Sequence, residues 1–154
     1  MAYYDLYGSI RPLNKKKEYY KYTTKYQCKL FIKEKEIDPY DPEIAICKTL
    51  KELSSKETNP NIVVIYDIFP SKIILEYLPT VLITMKGMNN FNKAFLKSSI
   101  NNAREFLNNN SIVYIDYKLD NIGIDYNGNY KLFDFDSSGI VNKTENTWII
   151  EPPN

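Results

Sequence analysis

Asn127-Gly128 stands between two short apolar runs in the segment SIVYIDYKLDNIGIDYNGNYKLFDFDSSGIV, residues 111–141. An Asn-Gly pair so flanked is the strongest short-range signal for a β-hairpin, because the tight turn needs positive φ and these residues tolerate it. The hairpin limits what the second half of the chain can become. Upstream of it, Phe91, Phe95, Ile100, Ala103 and Leu107 fall on one face of a helix predicted over 90–108, and Asn108–Asn110 break that pattern. The second half therefore reads as a helix followed by a hairpin.

The first half reads mainly as strand. YYDLYGSI, EYYKYTTK and YQCKLFIKEK are rich in residues that favour a pleated surface. Asp41 is placed to cap a helix with Pro42 at its first position. Ile44, Cys47, Leu50 and Leu53 recur at helical spacing through EIAICKTLKELSSK, and Asn59-Pro60-Asn61 ends it. NIVVIYDIF and KIILEYLP follow as two apolar strands joined at Pro70-Ser71, and the pattern changes near Pro79. The expectation is an α+β chain with a boundary there, residues 1–79 and 80–154.

Composition narrows the chemistry. With 154 residues, 44% of them hydrophobic, the chain can bury a core, yet it contains no histidine. Imidazole-dependent nucleophiles and histidine zinc sites are excluded. Cys28 and Cys47 form no CxxC pair and read as reduced structural thiols. No run approaches the ~18 apolar residues of a membrane span, and MAYYDLYGS lacks a signal-peptide core, so a soluble cytoplasmic protein is expected.

The near-zero net charge of +1 hides an asymmetry. Residues 11–36 carry nine cations against three glutamates, a net of +6, which leaves −5 for the rest. Interleaved Tyr19, Tyr20, Tyr22 and Tyr26 make this stretch either a nucleic-acid-binding ribbon, by phosphate pairing and base stacking, or a β-ribbon with a solvated lysine face.

Asp116, Lys118, Asn121 and Asp134 flank the hairpin. Phosphoryl transfer with Mg²⁺ uses this set of groups: one Asp to position the attacking hydroxyl, an amide and a second Asp to hold a hard cation, and a lysine to offset phosphoryl charge. The stretch resembles the catalytic loop and metal loop of protein kinases, with Asp116-Tyr117-Lys118-Leu119-Asp120-Asn121 in place of D-L-K-P-E-N and Asp134-Phe135-Asp136 in place of D-F-G. The resemblance implies that Asp116 orients the hydroxyl, Lys118 contacts the phosphoryl group, and Asn121 and Asp134 ligate magnesium. Leu30-Phe31-Ile32-Lys33 is similar to the V-A-I-K strand, so Lys33 would pair the ATP α/β-phosphates and Glu43 would hold it in place. Asn59-Pro60-Asn61-Ile62-Val63 is similar to the family's H-P-N-I-V connection. Ile73-Ile74-Leu75-Glu76-Tyr77-Leu78 resembles the hinge strand, where the backbones of Glu76 and Leu78 would hydrogen-bond adenine.

The sequence departs from the family pattern at several points. There is no G-x-G-x-x-G, and Arg11–Lys17 occupy the turn between the first strands, so lysines would have to meet the phosphates. Phe31 stands at the small residue that roofs the base and Gly123 at a bulky floor position. If these exchanges offset each other, nucleotide binding is kept and survives Phe31→Ala with Gly123→Leu. Tyr114-Ile115-Asp116 replaces H-R-D, and Ile115 removes the arginine that reads a phosphate on the activation segment. Asp136 replaces the glycine of D-F-G. The chain stops soon after, with Thr147–Pro153 as at most a remnant of A-P-E.

The resemblance thus implies a minimal protein-kinase-like two-lobed fold with a shortened C-terminal lobe, similar to minimal kinases of viruses and bacterial effectors, which would place it in a host cytoplasm. It implies ATP and Mg²⁺ as cofactors and γ-phosphoryl transfer to Ser/Thr of a protein. The protein substrate or an activating partner, or a second copy in a dimer, would dock where the absent helices leave apolar surface. Two other readings stay open: a pseudokinase scaffold, and nucleic-acid binding by the basic ribbon.

Overall fold

The computed structural model describes residues 2–5, 30–34, 41–85 and 92–153. The chain divides into two compact units, Met1–Ile37 with Val64–Tyr77, and Asp38–Val63 with Leu78–Asn154. Most of the basic ribbon, its tyrosines, the Arg11–Lys17 turn, Cys28 and Phe91 lie outside the described residues.

The first unit holds one antiparallel sheet of β1 (Ala2–Asp5), β2 (Leu30–Glu34), β3 (Ile65–Phe69) and β4 (Lys72–Glu76), in the order β1-β2-β4-β3. Pro70-Ser71 makes the β3–β4 connection that the pattern predicts. Register sets Lys33 opposite Ile73 and Phe31 opposite Leu75. Leu30, Ile32, Ile73 and Ile74 are buried, so β4 is covered on both faces and reads as a continuous apolar run rather than an alternating one. Lys33 is 1% exposed, a cation drawn fully into this sheet.

The second unit begins with α1 (Pro42–Leu53). Asp41 Oδ1 accepts from the Glu43 N–H at 2.9 Å, the N-cap expected from D-P-E. Ile46, Cys47 and Leu50 form its buried stripe, and Cys47 is a buried free thiol. The helix stops at Leu53, short of the predicted Lys56, where the Ser54 and Ser55 hydroxyls donate to the Lys51 and Glu52 carbonyls and compete with the helical bonds. The sequence boundary near Pro79 set this helix with the N-terminal strands, whereas compactness groups it with the second unit.

Next come β5 (Thr80–Val81), a 3-10 turn (Leu82–Met85), α2 (Lys93–Asn109) and β6 (Ile112–Val113). A second 3-10 turn (Leu119–Asn121) leads to β7 (Ile122–Ile124), β8 (Tyr130–Leu132), β9 (Gly139–Asn142) and β10 (Thr147–Ile150). They form two three-stranded antiparallel sheets, β5-β7-β8 and β10-β9-β6. The predicted hairpin is β7–β8, with Gly128 at φ +85°. The α+β class is as expected.

Along α2 the buried stripe is Ser99, Ala103 and Leu107, whereas Phe95, expected in the core, is 49% exposed. Phe95 sits in the first turn and lays its ring against Tyr130, centroids 5.4 Å apart, so it covers the hairpin rather than filling the interior. The helix ends at Asn109, and Ser111, just beyond the Asn110 cap, takes φ +65°. Asn61, buried, donates to the Tyr130 carbonyl at 2.8 Å and accepts from Asn102 Nδ2 at 2.8 Å, tying the N-P-N connection to both β8 and α2. Asn61 and Val63 are also bonded through their backbones to Leu132, which holds Asn61–Val63 out of the strand that NIVVIYDIF suggested. Among the described residues no helix is long and apolar enough to cross a membrane.

Candidate active site

β6 delivers the chain into the loop 114–118, and the 3-10 turn at Leu119–Asn121 folds that loop back on itself. Asn121, 5% exposed, donates through Nδ2 to the Asp116 carbonyl at 3.0 Å and to Asp116 Oδ2 at 3.1 Å. Lys118 Nζ sits 3.3 Å from the same Oδ2. Three of the four residues singled out in the sequence thus meet at one carboxylate oxygen. Neither Asp116 Oδ1 nor Asn121 Oδ1 has a hydrogen-bond partner among the described residues. The first is an oxygen that could accept a proton from a hydroxyl; the second is a hard oxygen that could meet a cation.

The Asp116 carboxylate raises the Lys118 pKa, by its hydrogen bond and then by its charge. Lys118 therefore stays a cation while half its side chain remains in solvent, 52% exposed, free to swing toward a phosphoryl group.

Asp134 belongs to the same structure through its neighbours. The Phe133 N–H donates to the Asn121 carbonyl at 3.1 Å, and the Phe135 N–H donates to Glu43 Oε2 at 3.3 Å. Glu43, 2% exposed, is thereby brought from α1 to the segment that carries Asp134. Asp134 itself has φ +67°, a left-handed conformation that costs a non-glycine residue about 1–2 kcal/mol and persists where neighbouring contacts impose it. Its Oδ1 accepts from the Asp136 N–H at 3.4 Å.

Tyr114, at the position of the usual histidine, is 4% exposed and donates its hydroxyl to the Phe133 carbonyl at 2.7 Å. Its ring meets Phe135 edge-on, 5.7 Å between centroids at 85°, and Tyr117 at 4.9 Å. Burial raises its pKa, and the charges of Asp134 and Asp116 push further in the same direction, so the hydroxyl is a permanent donor. Burial likewise raises the Tyr117 pKa, partly opposed by Arg104. Sequence reasoning registered Tyr114 only as a missing histidine.

A magnesium ion suits this set of donors. Among the described residues no cluster of three or more carboxylate, thiolate or imidazole ligands exists. Mg²⁺ seldom uses such cages: it takes one or two protein oxygens and completes its shell with phosphates and water. Asn121 Oδ1 and the Asp134 carboxylate would be those oxygens.

A model of the protein kinase domain matches residues 6–151 of the 154. The chain belongs to the protein kinase family. No curated protein matches it in sequence.

The remaining kinase positions are distributed between the units. Lys33, Phe31 and Glu76 lie in the first, where Phe31 stacks on Tyr77 with centroids 5.4 Å apart and planes within 16°. The Glu76 N–H donates to the Val64 carbonyl and its Oε1 accepts from the Val64 N–H, which ties Glu76 to the residue just ahead of β3. Leu78 and Gly123 lie in the second unit, against each other. A Cβ on Gly123 would stand 2.6 Å from Leu78 Cδ1, 2.9 Å from Leu78 Cβ and 3.2 Å from the Thr80 carbonyl.

That contact bears on the Gly123 half of the expected Phe31/Gly123 exchange. Leu78 fills the space beside Gly123, so a leucine at 123 would meet Leu78 and the Thr80 carbonyl. In this kinase domain Gly123→Leu is expected to lower stability by about 1–3 kcal/mol through overpacking. Adding Leu78→Ala should recover most of the loss. Urea unfolding midpoints of the single and the double variant check this.

Proposed function

We propose that this kinase domain transfers the γ-phosphoryl group of ATP to a Ser or Thr hydroxyl of a protein, with Mg²⁺. The observation that carries the reading is the meeting of Asn121 and Lys118 at one oxygen of Asp116, which leaves the Oδ1 atoms of Asp116 and Asn121 open. Asp116 accepts the proton of the attacking hydroxyl, and Lys118 meets the charge on the transferring oxygens. Bound Mg²⁺ neutralises phosphate charge. On the protein side, Asn121 and Asp134 would present oxygen to it, and Lys33 would bind the α/β-phosphates. A polypeptide acceptor suits the exposed Ile115 and Tyr117, 53% and 38%, which flank Asp116 in sequence and offer apolar contact on either side of it. The ATP requirement suits a cytoplasmic setting.

The test is label transfer from γ-labelled ATP with Mg²⁺ to the protein itself and to a generic Ser/Thr acceptor. Transfer that is lost in both Asp116→Ala and Asp134→Ala supports the proposal. Nucleotide bound without transfer to any acceptor would instead make the domain a pseudokinase scaffold.

A further inference from the structure

We infer that Asn127-Gly128 is a site of spontaneous covalent modification, at which the Asn127 side chain cyclises onto the Gly128 nitrogen with loss of ammonia, and that Asp125 is the guard that sets its rate. Asn127-Gly128 is the only Asn-Gly pair in the chain. It stands at the exposed tip of the β7–β8 hairpin, and nothing lies within 4 Å of where a Gly128 Cβ would be, so water reaches both residues. Glycine leaves its nitrogen open to the neighbouring amide carbon, because no side chain obstructs the approach. The Asn127 side-chain amide has no hydrogen-bond partner among the described residues. The amides of Asn61, Asn102, Asn121 and Asn129 are all bonded.

The chemistry balances with water as the only co-reactant. The Gly128 nitrogen gives its proton to solvent and bonds to Asn127 Cγ, while the Cγ–Nδ2 bond breaks and Nδ2 takes a proton and leaves as ammonia. Water then opens the cyclic imide at either carbonyl. Opening at the side-chain carbonyl leaves aspartate at 127. Opening at the main-chain carbonyl routes the backbone through the side chain, as an isoaspartate with an added methylene.

The folded turn resists the first step. The Gly128 N–H donates to the Asp125 carbonyl at 3.1 Å, and the nitrogen must leave that bond before it can attack. Asp125 closes the turn around it: Oδ1 accepts from the Asn127 and Asn129 N–H groups at 2.9 Å, and the Asp125 N–H donates to the Asn129 carbonyl at 3.0 Å. Its negative charge, beside the Asn127 nitrogen, also opposes the appearance of an anion on the next nitrogen along. Cyclisation therefore starts from brief openings of the tip, and its rate follows their population. The product weakens the guard in turn. An isoaspartate lengthens the backbone ahead of Gly128 and draws its N–H away from the Asp125 carbonyl, and either acid sets a new negative charge close to the buried Asp125 carboxylate.

The test incubates the parent, Asp125→Asn and Asp125→Ala proteins in mildly alkaline buffer. Peptide mass spectrometry follows each asparagine, and enzymatic methylation detects isoaspartate. In the parent, Asn127 should convert before Asn110, whose successor is Ser111 and whose Nδ2 is held by the Phe106 carbonyl. It should convert faster in urea than in the folded protein, and the product should contain both aspartate and isoaspartate. Asp125→Asn keeps a side-chain oxygen for the turn N–H groups and loses the charge; it should convert Asn127 about 5-fold faster than the parent, and Asp125→Ala about 10-fold faster, in step with the bonds lost. Where Asp125→Ala fails to fold, Asp125→Asn decides the guard. Asn127 left intact while Asn110 converts would overturn the site. Aspartate without isoaspartate would mean direct hydrolysis of the amide and would overturn the cyclisation. A rate at Asn127 equal in the parent and Asp125→Asn, or no faster in urea, would overturn the guard.

Discussion

Asp116→Asn is expected to slow phosphoryl transfer by about 10²–10⁴-fold, the range for loss of a positioned general base, while Mg²⁺-nucleotide affinity stays near that of the parent. The separation follows from what the carboxylate does structurally. Its Oδ2 accepts from Asn121 Nδ2 and lies 3.3 Å from Lys118 Nζ. An asparagine at 116 keeps one amide oxygen for the buried Asn121 donor, and the Asp116 backbone carbonyl holds the other Nδ2 bond unchanged. The loop therefore keeps its fold and loses only its capacity to take a proton. Lys118 loses the charge that raises its pKa, but half of its side chain is already in water, which softens that change. Single-turnover transfer from labelled ATP gives the rate, and a fluorescent-nucleotide titration gives the affinity. A loss below tenfold would remove Asp116 from the proton-accepting role. An equal loss of affinity and rate would mean that it binds substrate and transition state alike.

The parts of this molecule that sequence displayed are those governed by neighbours a few residues apart. Asp41 and Pro42 announce the start of α1 because an N-cap acts over two or three residues, and Asn127-Gly128 announces β7–β8 because a turn has only local requirements. Asp116, Lys118 and Asn121 were legible for the same reason: a six-residue loop brings them together. What escaped depends on partners far along the chain. Gly123 looked like half of an exchange with Phe31, yet its neighbour is Leu78, forty-five positions away and invisible to any spacing rule. Tyr114 bonds a carbonyl nineteen residues on, so its substitution for histidine read as a loss. The β9–β10 hairpin was missed too. Gly139 must lack a side chain because the Ile150 carbonyl and the Pro152 ring would stand 2.7–2.8 Å from its Cβ. Thr147–Ile150 pairs with β9, and Pro152 lies against Gly139. Phe95 shows the limit of periodicity, which marks the apolar stripe of a helix without saying how deep each end of it lies.

Asp125→Ala is expected to lower stability by about 2–4 kcal/mol, because several turn donors lose their acceptor and the buried Lys131 loses the Asp125 carboxylate. Asp125 follows β7 directly, and its side chain is 7% exposed. Oδ1 accepts from the Asn127 and Asn129 N–H groups, both at 2.9 Å, and Oδ2 accepts from Asn129 Nδ2 at 3.1 Å. Lys131, on β8 and equally buried, brings Nζ to 3.6 Å of Oδ2. Burial pushes the carboxyl pKa up, but the Asn129 and Asn127 bonds and the Lys131 charge outweigh it, and the pKa ends below the ordinary carboxylate value. The sign of the linkage follows. A carboxylate that binds its proton less readily in the folded state contributes stability in full above the unfolded pKa, near 4, and gives it up as pH falls through the lower native value. In the parent protein this contribution should hold from neutral pH to about pH 5 and decline below it. In Asp125→Ala the decline due to this group should be absent, so the two stability curves converge in acid. Urea unfolding of both proteins between pH 3 and pH 7 measures the gap. A gap that stays constant with pH would mean that the turn is held by the shape of the side chain and not by its charge. Because Asn121 and Phe133 border the two strands that this turn joins, a loosened hairpin should also weaken the Phe133–Asn121 bond behind Asp134.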